Sequence, residues 1–78
     1  MMLAMRTYSI LLDPDAESGF TVTVPALPGC ITEGETVDEC LDNAREAIRL
    51  YLEDLTATGQ PIPEESEPPR LLTVEVAA

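Results

Sequence analysis

The sequence predicts an α+β domain with the element order β-β-β-α-β, in which an antiparallel-rich sheet is covered on one face by a single helix. Short stretches of alternating apolar and polar residues lie before and after one long segment whose apolar residues follow a helical stripe. Turn-forming residues separate these stretches. A chain of 78 residues has room for one domain, which we assign to residues 1–78.

The first two strands are expected to form a hairpin. Apolar and polar residues alternate over residues 6–12 and again over residues 20–24. Between them, residues 13–19 are rich in Asp, Pro, Ser and Gly, which favour a turn. Pro25 ends the second strand because proline has no N–H to donate to the ladder. An antiparallel hairpin is the simplest connection.

A proline-bracketed turn and a third strand follow. Pro25, Pro28 and Gly29 are interpreted as structural residues, since proline fixes the backbone and glycine allows a positive φ. Their position between two strands leaves a contact with a partner open. Residues 30–33 are long enough for a short third strand.

One long helix is predicted after the third strand. Thr36 and Glu39 have the spacing of a capping box, so the helix is expected to begin here. Its apolar stripe consists of Val37, Leu41, Ala44, Ile48, Tyr51 and Leu55, widened by Cys40, Ala47 and Leu52. Gly59 suits the left-handed residue after a helix, and Pro61 and Pro63 prevent its continuation.

A polar loop and a last strand complete the predicted domain. Residues 60–69 form the loop, and residues 71–76 alternate again as a strand that can lie beside the first. One helix covers only one face of the sheet, so the other face is expected to meet solvent or a second subunit. A homodimer or higher homo-oligomer is therefore expected. Residues 1–5 fit no element and are expected to be disordered or additional to the domain.

The charge of the chain limits its partners. Fifteen acidic side chains stand against four arginines, with no lysine or histidine, which gives a net charge of −11. Such a charge repels phosphate backbones and anionic lipid, so we expect no direct nucleic-acid binding by this chain alone and no membrane binding. It attracts a basic partner, or it serves solubility alone. Nothing pairs a nucleophile with a base, and the sequence predicts a protein that is not an enzyme.

No cofactor or metal site is predicted. Asp13, Asp15 and Glu17 superficially resemble the start of an EF-hand. However, Ser18 stands where that loop needs glycine, and Val24 where it needs a bidentate glutamate. A solvated hairpin turn is the better interpretation. Two cysteines without any histidine do not complete a zinc site.

Cysteine usage indicates a reducing compartment. Cys30 and Cys40 are too few for a small secreted disulfide scaffold, and the first residues do not resemble a secretory signal. No apolar run approaches the roughly 20 residues of a membrane span. We therefore predict a cytoplasmic protein whose two thiols are reduced and act as small buried hydrophobes.

The combined pattern of the chain resembles the HicB-like antitoxin family. The resemblance rests on the tyrosine-bearing first strand, Gly-Phe-Thr-Val-Thr-Val-Pro at 19–25, Leu-Pro-Gly-Cys at 27–30, Gly-Glu-Thr at 34–36, and the helix at 39–47. It covers about residues 6–55 and the last strand. Any one fragment is weak evidence, whereas the combination is specific.

The resemblance implies a truncated RNase H-like domain and a function. HicB-like proteins bind and neutralise HicA, a small basic toxin that cuts mRNA, and many carry a C-terminal DNA-binding segment that this sequence lacks. The chain therefore resembles a stand-alone, short member. An orphan oligomeric binding or scaffold module without a toxin is the alternative. A metal-dependent nuclease is a distant third hypothesis, because Glu33 and Glu75 are the only acids within the predicted strands.

The candidate partner-binding residues are Glu33, Glu35 and Asp42, near the start of the helix. Thr36 and Glu39 are assigned to capping, whereas these three acids need no local structural explanation. Carboxylates in place of RNA phosphates would suit a basic RNA-binding partner and would speed association. The competing interpretation is a solvated acidic face.

Overall fold

The computed structural model describes residues 5–78 as three strands followed by one helix. The elements are β1 (Leu11–Pro14), β2 (Phe20–Thr23), β3 (Ile31–Gly34) and α1 (Val37–Ala57). The strands form one antiparallel sheet in the order β1-β2-β3. The predicted α+β class and the order β-β-β-α are confirmed. The expectation for the N-terminus falls largely on residues 1–4, which lie outside the described residues.

The strand register separates the two faces of the sheet. The rows Leu12–Val22–Thr32 and Pro14–Phe20–Gly34 alternate with the rows Leu11–Thr23–Ile31 and Asp13–Thr21–Glu33. Val22 is fully buried and packs against Cys40 and Ala44 of α1, so the first two rows face the helix. Leu11 and Ile31, in the other rows, are exposed. The helix therefore covers a single face, as predicted.

The first strand lies later in the chain than its alternation predicts. Residues 6–12 were expected to form it, whereas β1 is Leu11–Pro14. Pairing explains this difference, because a strand exists only where β2 runs beside it, and β2 ends at Thr23, which lies opposite Leu11. Pro14 is accepted because β1 is an edge strand, whose outer side needs no N–H donor.

A tight double turn connects β2 to β3. Leu27 N–H donates to Val24 O at 3.0 Å, and Cys30 N–H donates to Leu27 O at 3.0 Å. Gly29 has a φ of 83°, which explains glycine at this position. The double turn places Leu27 in the core with none of its surface exposed. Tyr51 Oη on α1 donates to Pro28 O at 2.8 Å and holds the turn against the helix.

Both helix ends have explicit caps. Thr36 is the N-cap, and its Oγ1 accepts from Glu39 N–H at 3.1 Å. The second bond of a capping box, from Thr36 N–H to the Glu39 carboxylate, does not occur among the hydrogen bonds of residues 5–78. At the other end, Gly59 N–H donates to Thr56 O and Gln60 N–H to Leu55 O, with Gly59 at a φ of 72°. These two bonds form a Schellman motif, so the helix ends where Gly59 predicts.

The buried face of α1 differs from the predicted stripe. Cys40 and Ala44 are buried, whereas Val37 and Leu41 are 53% and 38% exposed. Small residues lie at the contact because α1 approaches β3 closely. A Cβ added to Gly34 would lie 2.8 Å from Cys40 Sγ and 2.9 Å from Cys40 N. Glycine on the strand and cysteine on the helix therefore set the distance between the two elements.

The predicted last strand is not paired within the chain. Residues 70–78 belong to no strand or helix and are exposed along their whole length. Leu71, Leu72, Val74 and Val76 are 93%, 80%, 84% and 78% exposed. The alternating pattern is present, but no neighbouring strand lies beside it, so the prediction of a strand within this domain is wrong. We call residues 70–78 the C-terminal arm.

Candidate partner-binding surface

One end of the sheet carries a concentration of carboxylates, which we call the acidic end. The hairpin loop, the end of β3 and the start of α1 meet there, and together they contribute Asp13, Asp15, Glu17, Glu33, Glu35, Asp38 and Glu39. A shallow depression of about 120 Å³ lies among Asp15, Glu33, Glu35 and Glu39. Of the three predicted binding residues, Glu33 and Glu35 therefore lie together.

Backbone contacts bring the hairpin loop beside Glu35. Phe20 pairs with Gly34, so the loop that precedes Phe20 lies next to the end of β3. Asp15 N–H donates to Gly19 O at 2.9 Å and closes the loop. Gly19 has a φ of 71°, and a Cβ at this position would lie only 2.6 Å from Gly34 O. Glycine therefore lets the loop approach β3 and adds Asp15 to the acidic end.

The arginines of residues 5–78 pair with carboxylates outside the acidic end. Arg49 contacts Glu46 at 2.6 Å and Glu53 at 2.7 Å, both on the same helix. The other pairs are Arg45 with Asp42, Arg6 with Glu64, and Arg70 with Glu67. No carboxylate of the acidic end has an ion-pair partner within the part of the chain that the structure describes. Within residues 5–78, its charge is therefore not neutralised by an ion pair.

Asp42 differs from the other two predicted residues. Its Oδ1 lies 3.1 Å from Arg45 Nη1, one helical turn further along α1, and it does not line the acidic depression. The pair is exposed and contributes little to stability, but it neutralises the local charge. Asp42 therefore lies outside the acidic end, and Asp15 takes part in its place.

Two acids of the acidic end also have a local role. Asp38 and Glu39 occupy the first turn of α1, where negative charge is favourable beside the positive end of the helix dipole. Asn43 Nδ2 on α1 donates to Glu33 O on β3 at 2.7 Å, and this hydrogen bond connects the helix to the strand. These contacts leave the carboxylates of Glu33 and Glu35 exposed to a partner.

Both thiols are buried and free. Burial raises the pKa of Cys30 above its ordinary 9.0. Burial also raises the pKa of Cys40, and the neighbouring charges of Glu39 and Glu35 raise it further. A thiol of raised pKa holds little thiolate near neutral pH, so these cysteines are poor nucleophiles.

The raised thiol pKa values predict a loss of stability in alkaline solution. The folded state keeps the thiol protons at pH values where the unfolded chain loses them, so the free energy of unfolding should fall as pH rises above about 9. Below that pH the stabilisation is fully present. Urea unfolding from pH 7 to 10 measures the effect. The Cys30→Ala/Cys40→Ala protein should lose less stability over this range, and an equal loss would contradict the assignment.

The described residues contain neither a metal-binding cluster nor a membrane-spanning helix. Within residues 5–78 no group of three or more His, Cys, Asp or Glu side chains has a geometry that could hold a metal ion. The carboxylates of the acidic end therefore do not converge as metal ligands. Over the same residues, no helix has the length and apolar character needed to cross a membrane.

Comparison with known proteins identifies the family. Residues 8–73 match the family described as HicB-like antitoxin of bacterial toxin-antitoxin systems. A UPF0150 protein of Thermoplasma acidophilum is 42% identical over 59 residues, which are 76% of this chain and 86% of that protein. A UPF0150 protein of Synechocystis is 41% identical over 58 residues, 74% of this chain and 73% of that protein. Antitoxin HicB 1 of Photorhabdus laumondii is 35% identical over 60% of this chain, but the match covers 33% of that protein. The chain belongs to the HicB-like antitoxin family of bacterial toxin-antitoxin systems.

Proposed function

We propose that this chain is an antitoxin that binds a small basic toxin of the HicA type and neutralises it by covering its RNA-cleaving surface. The observation that supports this most directly is the uncompensated charge of the acidic end. A toxin that binds mRNA needs a basic surface, and a surface of that kind also binds a cluster of carboxylates.

The geometry of the acidic end suits such a partner. Glu33 and Glu35 lie on β3 and just after its end. Asp15 reaches the same depression from the hairpin loop, and Glu39 reaches it from the first turn of α1. Carboxylates from three chain segments therefore form one surface rather than one flexible stretch. Because the sheet and the capped helix already hold these segments in place, little conformational entropy is lost when a partner binds.

The proposed mechanism requires no catalysis by this chain. The two thiols are buried with raised pKa values, and the chain has no histidine. The family match supports a role in binding. Occlusion alone suffices, since a toxin whose RNA-binding surface is occupied cannot bind its substrate. A cytoplasmic location, where mRNA is cut, accords with this role.

An orphan oligomeric binding module is the second candidate. The relatives that match over most of their own length carry UPF0150 names, which state no partner. The exposed apolar arm also favours self-association. A module of this kind would use the same fold without any toxin.

The antitoxin proposal requires a reading frame beside this chain that encodes a small basic protein, and the test is co-expression with that neighbour. We expect the neighbour to arrest growth when expressed alone, and this chain to relieve the arrest and to co-purify with the neighbour. Persistent arrest together with no co-purification would contradict the antitoxin proposal and would favour the orphan module.

A further inference from the structure

The C-terminal arm has the sequence of a strand without a strand beside it. Leu72, Val74 and Val76 alternate with Leu71, Thr73 and Glu75, yet the apolar members are all more than three-quarters exposed. An exposed apolar strand of this length is a site of pairing with another chain. The radius of gyration is 15.0 Å, against about 11.5 Å for a compact chain of this length. The long axis of 55 Å accords with an arm that leaves the domain.

The connection before the arm directs it away from its own sheet. Tyr8 Oη donates to Pro63 O at 2.6 Å, and Ser9 N–H and Oγ donate to the Glu65 carboxylate at 2.9 and 2.6 Å. The chain is therefore attached to the start of the domain as far as Glu65. Pro68 and Pro69 follow; proline fixes φ and also favours an extended conformation for the residue before it. Few residues remain that could reverse the chain onto its own first strand.

A segment that could accept such an arm lies before β1. Residues 5–10 precede the edge strand β1, and none of them forms a backbone-to-backbone hydrogen bond outside the regular elements described. Six residues of a strand span about 20 Å, so residues 5–10 and 71–76 match in length. Glu65, which accepts from Ser9 N–H, shares a depression with Pro25 and Ala26, on the side of residues 5–10 where β2 leaves the sheet. Glu65 therefore lies on the inner side of residues 5–10, and their outer side, which faces away from β2, is open to a new strand.

An apolar groove lies beside this edge. It has a volume of about 420 Å³ and is lined by Met5, Arg6, Tyr8, Arg45, Ile48, Arg49 and Leu52. We call it the arm groove. A strand placed along residues 5–10 would direct alternate side chains toward it, as the period of two in a strand requires. The apolar side chains of Leu72, Val74 and Val76 have the spacing to enter it together.

The charges around the arm groove select its occupant. Three of the four arginines of the chain line it, and each pairs with a carboxylate, so the charges around the groove nearly balance in a protein with a net charge of −11. The groove therefore does not repel a second acidic copy, and it offers a basic partner no unpaired cluster of carboxylates like that of the acidic end. Each copy carries one arm and one groove, so reciprocal exchange closes a two-fold dimer and leaves no arm exposed.

We propose that the C-terminal arm of one copy pairs as a strand with residues 5–10 of a second copy and fills its arm groove, so that two chains form an arm-exchanged homodimer. The fourth strand that the sequence predicts then exists, but a second copy supplies it. The acidic end stays free in this dimer, since it lies at the other end of the sheet. This inference does not depend on the antitoxin proposal.

The first test compares a charge placed on each face of the arm. Val74→Asp puts a carboxylate into the groove, whereas the control Thr73→Asp adds the same charge on the opposite face. Light scattering across a concentration series should give twice the 8.5 kDa monomer mass for the wild type and for Thr73→Asp. Val74→Asp should raise the dissociation constant by about 100-fold or more. A monomeric wild type, or a Val74→Asp protein that remains dimeric, would overturn the proposal.

The second test locates the arm. Copies with Thr7→Cys are mixed under oxidising conditions with tagged copies carrying Leu71→Cys, Thr73→Cys or Glu75→Cys, and disulfide-linked pairs are identified by mass. At least one pair should form in high yield, while Ile31→Cys, exposed on the open face of the opposite edge strand β3, should give none. The protein with only its two native cysteines is the control. Cross-links to Ile31→Cys alone, or no cross-link from Thr7→Cys to any arm position, would overturn the assignment.

Discussion

Reversal of the two central charges, Glu33→Lys with Glu35→Lys, is expected to weaken binding of the basic toxin by about 100-fold or more. Both carboxylates lie at the acidic end and have no ion-pair partner within the described residues, so no ion pair is lost. Lysine in their place opposes the basic surface of the partner. Titration calorimetry at two salt concentrations measures both the loss and its electrostatic origin.

A matched control separates contact from long-range attraction. Glu46→Lys with Glu53→Lys changes the net charge by the same amount, but both residues lie on α1 beside Arg49. Beyond a Debye length of about 8 Å, charge is largely screened at physiological salt, so the control should change affinity by less than about threefold. Equal losses in the two proteins would mean that net charge, rather than the acidic end, determines binding.

Leu27→Ala is expected to destabilise the domain by about 3 kcal/mol. Leu27 is fully buried at the double turn and packs in a cluster with Tyr8, Ile48, Tyr51 and Leu52. Truncation leaves a cavity between the turn and the helix, where the Tyr51 bond to Pro28 limits relaxation. A domain of this size has about 4 to 12 kcal/mol in total, so the loss is a large share. Urea unfolding at a fixed protein concentration measures it.

Leu50→Ala is the control for the same chemical change. Leu50 is 52% exposed on α1, and its truncation should alter the free energy of unfolding by less than about 0.5 kcal/mol. Protein concentration must be held constant because a dimer gains apparent stability with concentration. Comparable losses in the two variants would contradict the position of the core at the double turn.

Local sequence signals predict the helix well. Thr36 and Gly59 fix its ends through interactions within a few residues, and the structure has α1 at Val37–Ala57. Which face of the helix is buried depends on how the helix packs against the sheet. α1 packs on the sheet through Cys40 and Ala44, because Gly34 allows a close approach. The predicted stripe includes both of these residues, but hydrophobicity alone also places Val37 and Leu41 on the buried face, and these two are exposed.

Strand predictions depend on partners that alternation cannot reveal. Residues 6–12 and 71–76 alternate equally well, yet only Leu11–Pro14 has a neighbouring strand in the chain. The alternating pattern indicates that a segment is able to pair with a neighbouring strand. The register and the connecting loop determine whether such a neighbour exists. For residues 71–76, Pro68 and Pro69 are the sequence signal against pairing within the same chain.

The candidate site could be predicted only in part. Glu33 and Glu35 were expected near the start of the helix, and they lie together at the acidic end. The sequence groups Asp42 with them, although Arg45, three residues later, is a helical neighbour able to pair with it. The sequence places Asp15 in a solvated turn, and it cannot show that this turn lies beside Glu35, because that proximity depends on the hairpin register at Gly19.

The most direct test of the central claim is mRNA cleavage by the neighbouring basic protein, measured with increasing amounts of this chain. We predict that cleavage falls to background near one copy of the chain per toxin, that the Glu33→Lys/Glu35→Lys protein fails to inhibit, and that the Glu46→Lys/Glu53→Lys control inhibits fully. Cleavage that continues unchanged at a large excess of the wild-type chain would contradict the antitoxin account.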